Sequence, residues 1–150
     1  MQLAEKSPRR GPLNERLATS GLRFTRQRQH VYDVLLEQRD HPTAEEVFLR
    51  AKHGMPDISL ATVYNCLDAL VRCGLVRPVH LSRGASHFCP NMAEHSHFCC
   101  DVCGAIFDVD LPATAATFEM PRGFKASHVE LAIHGACPNC GPARQRPNGK

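Results

Sequence analysis

Residues 56–90 read PDISLATVYNCLDALVRCGLVRPVHLSRGASHFCP, and their pattern decides how the first half of the chain folds. Val63, Leu67, Leu70 and Val71 recur at three- and four-residue intervals, which makes one face of a helix apolar. Ser59 stands where a helix N-cap is needed, and Gly74 follows LVRC where the chain must leave the helix. The segment that follows predicts two short strands joined by a turn at Ser82 to Ala85. Two further helices are predicted upstream, one with Val31, Val34 and Leu35 on its apolar face, the other with Ala44, Val47, Phe48 and Ala51. TAEE spells a capping box from Thr43 to Glu46, and Pro42 stops helix from running in out of EQRDH. Helices this short are not stable apart, so they must pack together. Three helices and a two-stranded wing make a winged helix-turn-helix, whose third helix enters the major groove of DNA.

Length and composition agree with a folded protein of one ordinary domain or two small ones: 150 residues, 43% of them apolar and 22% charged. No stretch approaches the roughly 20 apolar residues of a membrane span. The start, MQLAEKSPRRGPLNER, lacks the apolar core of a secretory signal. The expectation is therefore a cytoplasmic protein with no membrane partner and no resting disulfides. The net charge of +3 is uneven: up to Arg83 there are 13 Lys/Arg against 9 Asp/Glu, and from Gly84 onward 5 against 6. The excess is steepest early, at Arg9, Arg10, Arg16, Arg23, Arg26 and Arg28, and predicts that the N-terminal half meets a polyanion.

The expected organisation is α+β: a flexible tail over 1–12, a winged-helix DNA-binding domain over 13–88, a small α/β domain over 89–141 and a second tail over 142–150. In the second domain AIFDVDL (105–111) and HVELAIHG (128–135) read as strands, with room for a short helix in PATAATFEMPRG (112–123).

Eight cysteines in a reducing compartment, four of them in two CxxC pairs, favour metal thiolates. Cys100 and Cys103, then Cys137 and Cys140, each present two thiolates on a tight turn closed by Gly, and four thiolates make a closed tetrahedral zinc site. The 33 residues between the pairs exceed the gap of a simple zinc ribbon, so the ion must pin two ends of a small sheet. His95 and His97 on an extended segment face the same way, and Cys89 would add a thiolate to form a site suited to zinc. His41, His80, His87 and Asp108 are further candidates. Cys99 shares the parity of the two histidines but reads more simply as a small buried group, and Cys66 and Cys73 as core.

An enzyme is not expected. His128-Val-Glu130 ahead of Cys137-x-x-Cys140 echoes zinc deaminases, but only six residues separate Glu130 from Cys137, and Ala136 takes the place of a proline. A zinc held by four thiolates also has no position left for water. A zinc-stapled protein-interaction module that never binds DNA is the rival from another class. It would have no use for ISLATVYN or the basic first 30 residues.

GLRFTRQRQHVYDVLL, HPTAEEVF, ISLATVYNCLDALVRCGLV, HFCPN, HSHFCCDVCG and HGACPNC, in this order, resemble the motifs of the ferric uptake regulator (Fur) superfamily of metal-dependent repressors. The resemblance spans residues 14–141 and is nearest to zinc-sensing (Zur-type) or peroxide-sensing (PerR-type) members. It implies a homodimer on palindromic double-stranded DNA operators, with no small-molecule substrate. It also implies a structural Zn2+ on Cys100, Cys103, Cys137 and Cys140. A second, regulatory divalent metal, Zn2+ or alternatively Fe2+ or Mn2+, would draw on His41, Cys89, His95, His97 and Asp108, with His80 as an alternative to His41. Iron- and peroxide-sensing branches carry a carboxylate where Cys89 stands and zinc-sensing members a cysteine, whereas His41 fits the iron and peroxide pattern. Ser96 and Val129 stand where a further auxiliary site would need ligands. On the DNA side the resemblance points to Arg23, Ser59, Thr62 and Tyr64, with Asn65 in place of the arginine many relatives have.

Overall fold

The computed structural model describes residues 10–80, 84–110, 118–127 and 129–141. Contacts divide the chain into two compact units, Met1–Met92 and Ala93–Lys150. The division falls a few residues after the expected one because Cys89 still belongs to the wing, paired with Arg77.

Among its described residues the first unit holds four helices, α1 (Arg10–Thr19), α2 (Arg26–Glu37), α3 (Ala44–Gly54) and α4 (Leu60–Arg72), then strands β1 (Arg77–Val79) and β2 (His87–Cys89). Helix α1 is a correction to the expected tail over 1–12, since it starts at Arg10. Pro12 falls in its first turn, where a backbone N–H has no intrahelical partner and proline is tolerated. Its two core positions, Leu13 and Leu17, are both buried, but a single four-residue interval is too short a pattern to announce a helix. The other helix starts follow the local rules. Thr25 accepts from the Arg28 N–H, Ser59 accepts from the Thr62 N–H, and Thr43 with Glu46 forms the capping box. Helix α4 ends in a Schellman turn: Gly74 takes φ +68, Leu75 N–H donates to the Leu70 carbonyl and Gly74 N–H to Val71. Val31, Val34 and Leu35 of α2, Ala44, Val47 and Ala51 of α3, and Val63, Cys66, Leu67 and Leu70 of α4 form one core with α1. Cys73 joins that core. The wing is antiparallel, with Val79 opposite His87. Half of the turn predicted at Ser82 to Ala85, residues 82 and 83, lies outside the described residues.

In the second unit β3 (His95–Cys100) is central, with β4 (Ile106–Asp110) antiparallel on one side and β5 (Ala132–Gly135) parallel on the other. Of the helix expected in 112–123, residues 112–117 lie outside the described residues, and 118–123 are not helical. No helix among the described residues is long and apolar enough to cross a membrane.

Candidate metal centre

Strand pairing builds the four-cysteine cluster. Cys100 closes β3 directly opposite Gly135, the last residue of β5, so the two CxxC turns emerge side by side. Each turn is tight: Gly104 N–H donates to the Cys100 carbonyl at 2.8 Å and Cys140 N–H to the Cys137 carbonyl at 3.0 Å. Gly104 and Gly141 take φ +74 and +72, which is why glycine follows each pair. All four sulfurs lie within 4.8 Å of one another, and Cys103 Sγ is 3.8 Å from Cys137 Sγ. Four sulfurs each about 2.3 Å from one ion sit about 3.8 Å apart, so the cluster fits tetrahedral zinc. Backbone N–H groups of Cys103 and Cys137 push the Cys100 thiol down to about 6. Hydrogen bonds with the Cys137 and Cys103 sulfurs favour the protonated Cys140 thiol and push it up to about 12, with desolvation and the neighbouring Cys100 adding in the same direction. Cys99, one residue before the cluster, points off the other face of β3 and is buried outside it.

On that other face His95 Nε2 is 2.9 Å from His97 Nε2, and Asp108 Oδ1 is 3.2 Å from the first and 3.5 Å from the second. Asp108 comes from β4, in register with His97. His95 Nδ1 donates to the Ala93 carbonyl at 2.6 Å, which leaves its Nε2 lone pair for a ligand. Both rings are buried, and three donor atoms converge on one point.

In the first unit His41 and Cys89 are buried with their ligand atoms within 4.8 Å of one another. His41 adopts φ +56, the only non-glycine among the described residues with positive φ, a conformation that costs an L residue about 1–3 kcal/mol. His80 is exposed, with Nδ1 3.1 Å from Ser86 Oγ within the wing, and belongs to neither donor group. His87 Nδ1 donates to the His41 carbonyl at 2.7 Å; sequence reasoning placed His87 among possible ligands and had no signal for this bond.

The residues expected to meet DNA reach the surface of the first unit. Arg23, Ser59, Tyr64 and Asn65 are exposed and Thr62 half-buried, with Ser59 Oγ 2.8 Å from Thr62 Oγ1. Tyr64, 47% exposed, donates its hydroxyl proton to Glu45 of α3 at 2.7 Å, a contact that spacing along the chain does not reveal.

Comparison with known proteins agrees with this architecture. The chain is 33% identical to the peroxide operon regulator of Bacillus subtilis over 129 residues, 84% of this chain and 89% of the relative. It is 32% identical to the peroxide-responsive repressor PerR of Staphylococcus epidermidis over 127 residues, 83% of this chain and 85% of the relative. Among solved structures, the ferric uptake regulator Fur of Helicobacter pylori superposes with a TM-score of 0.66 at 20% identity, covering 88% of this chain and 91% of that one. The ferric uptake regulator of Vibrio cholerae gives 0.62 at 25% identity, over 83% and 99%. The profile of the ferric uptake regulator family matches residues 19–134, and the chain belongs to that family.

Proposed function

We propose that this chain is a metal-dependent, DNA-binding repressor that works in the cytoplasm as a homodimer on palindromic operators, with zinc as the metal it senses. Cys100, Cys103, Cys137 and Cys140 would hold a permanent zinc, whose four thiolates leave no position for catalysis. His41 and Cys89 of the first unit, with His95, His97 and Asp108 of the second, would be the regulatory ligands, as in the family pattern. The observation that carries zinc is the buried Cys89 thiol beside His41: a thiolate with imidazoles suits zinc better than manganese. The dimer is supported by apolar side chains that the second unit leaves exposed, among them Phe107, Phe118, Phe124, Leu131 and Ile133. DNA binding is supported by α4, capped by Ser59 and followed by a wing, in the basic half of the chain. Regulation is linkage: binding of the ion favours the DNA-binding conformer by no more than the difference in its affinity for the two conformers.

The relatives favour a second reading, since their names speak of peroxide. In it the site takes ferrous or manganous ion and Cys89 is a buried strand residue. One experiment separates the two. The regulatory metal is removed by mild chelation, the four-cysteine zinc is verified, and zinc, manganese or ferrous ion is returned while binding to duplexes selected from a random pool is followed. Zinc should restore binding, and Cys89→Ser should need about a hundredfold more of it. Equal zinc response in wild type and Cys89→Ser would remove zinc sensing. Restoration by ferrous or manganous ion alone, abolished by peroxide, would establish the second reading.

A further inference from the structure

We propose that His87 is a positioning residue for His41, and that through it the wing strand β2 carries both the clamp on one regulatory ligand and, at Cys89, a second ligand. The inference rests on the reading of His41 and Cys89 as ligands. His41 sits at φ +56 with its ring buried, and Pro42 after it disfavours the right-handed helical alternative. A side chain in that backbone state needs its surroundings to hold it there, and three links to β2 do so. His87 Nδ1 donates to the His41 carbonyl at 2.7 Å, Phe88 N–H donates to the Pro42 carbonyl at 3.0 Å, and Thr43 forms an antiparallel bridge with His87. Segment 41–43 thus lies along the edge of β2 that β1 leaves open. The left-handed turn at His41 takes its carbonyl out of the regular ladder, and the His87 ring supplies the N–H that the ladder cannot. Because a carbonyl only accepts, Nδ1 of His87 carries the proton. His41, His87, Phe88 and Cys89 then form one connected piece. An ion that takes His41 and Cys89 holds that piece, and with it the wing strand, in one arrangement.

The test uses full-length protein with its four-cysteine zinc in place, and measures zinc affinity of the regulatory site by competition with a chromophoric chelator. Zinc is a fair probe whichever metal is sensed, because it binds such sites more tightly than iron or manganese. His87→Leu should weaken zinc by about ten- to a hundredfold, the usual loss when a partner that orients a ligand is removed. His87→Asn, whose amide N–H replaces Nδ1–H, should recover most of that loss, which a residue acting as ligand or as packing would not show. Unchanged affinity in His87→Leu, or no recovery in His87→Asn at equal thermal stability, overturns the proposal. His41→Ala provides the separation. If it leaves zinc affinity unmoved, the assignment of the site fails and this proposal with it; if it loses zinc while His87→Leu does not, this proposal alone fails.

Discussion

The two units bury different chemistry. In the first, the core is mainly aliphatic, running from Leu13 and Leu17 through Val31, Leu35, Val47, Val63, Leu67 and Leu70, with the buried donors His41 and Cys89 apart from it. In the second, among the described residues, it is Cys99, Cys100, Ile106 and Cys137 with His95, Ser96 and His97. One unit is held by removing hydrocarbon from water, at roughly 2 kcal/mol per buried leucine. Among the described residues the other buries a single aliphatic, Ile106, and four of its buried residues, His95, His97, Cys100 and Cys137, are candidate metal donors. A unit this small, whose described residues bury so little hydrocarbon, is expected to draw its stability from bound metal.

The largest expected effect strikes at this contrast directly. Cys137→Ser should cost the second unit its zinc and, with it, on the order of 10 kcal/mol of folding free energy. Zinc content should fall and the second unit should lose protection from proteolysis, while the helices of the first remain. A zinc-loaded, stable Cys137→Ser protein would mean that the two units are not stabilised differently.

The reverse experiment is Leu67→Ala. It opens a cavity in the first unit and should cost about 2–5 kcal/mol there, read by denaturant unfolding, without changing the zinc content of the four-cysteine site. Zinc loss in this variant would show that the units are not separable.

A smaller effect sharpens the assignment of DNA recognition to the first unit. Tyr64→Ala and Arg23→Ala should each weaken binding to selected duplexes by about tenfold, some 1.4 kcal/mol, at unchanged metal content. Arg23→Ala should also reduce the salt dependence by about one counterion. Normal binding by both would move the interface off α4 and the segment before α2.

The smallest concerns the ion pair next to His41. The Arg50 guanidinium bonds both Asp40 oxygens, at 2.8 and 2.7 Å, and holds the Asp40 carboxyl below its ordinary 3.8. Because the folded value is depressed, the contribution is complete at pH well above 3.8 and disappears as the pH falls through the folded value. The Asp40 and Arg50 side chains are 42% and 27% exposed, so screening limits it to about 0.5 kcal/mol. Asp40→Asn should lower stability by about that much at neutral pH and be indistinguishable from wild type in strong acid. A loss several times larger would place this pair among the main supports of the first unit.

What the sequence by itself determined was local. Helices α2, α3 and α4, their threonine and serine caps, the wing and the two CxxC-Gly turns all follow from patterns within a few residues, where backbone geometry limits the outcomes. The same rules overlooked α1, whose buried pair Leu13 and Leu17 is one turn long. Only the tertiary structure decided that β5 lies parallel to β3 and brings Cys137 N–H to 3.3 Å from Cys100 Sγ. It alone decided that Asp108 closes on His95 and His97, that Tyr64 gives its proton to Glu45, and that His87 holds the backbone of His41. Each of these pairs residues far apart along the chain, and their meeting depends on strand register and helix packing, which are set by the burial of the whole unit and not by any short stretch of it.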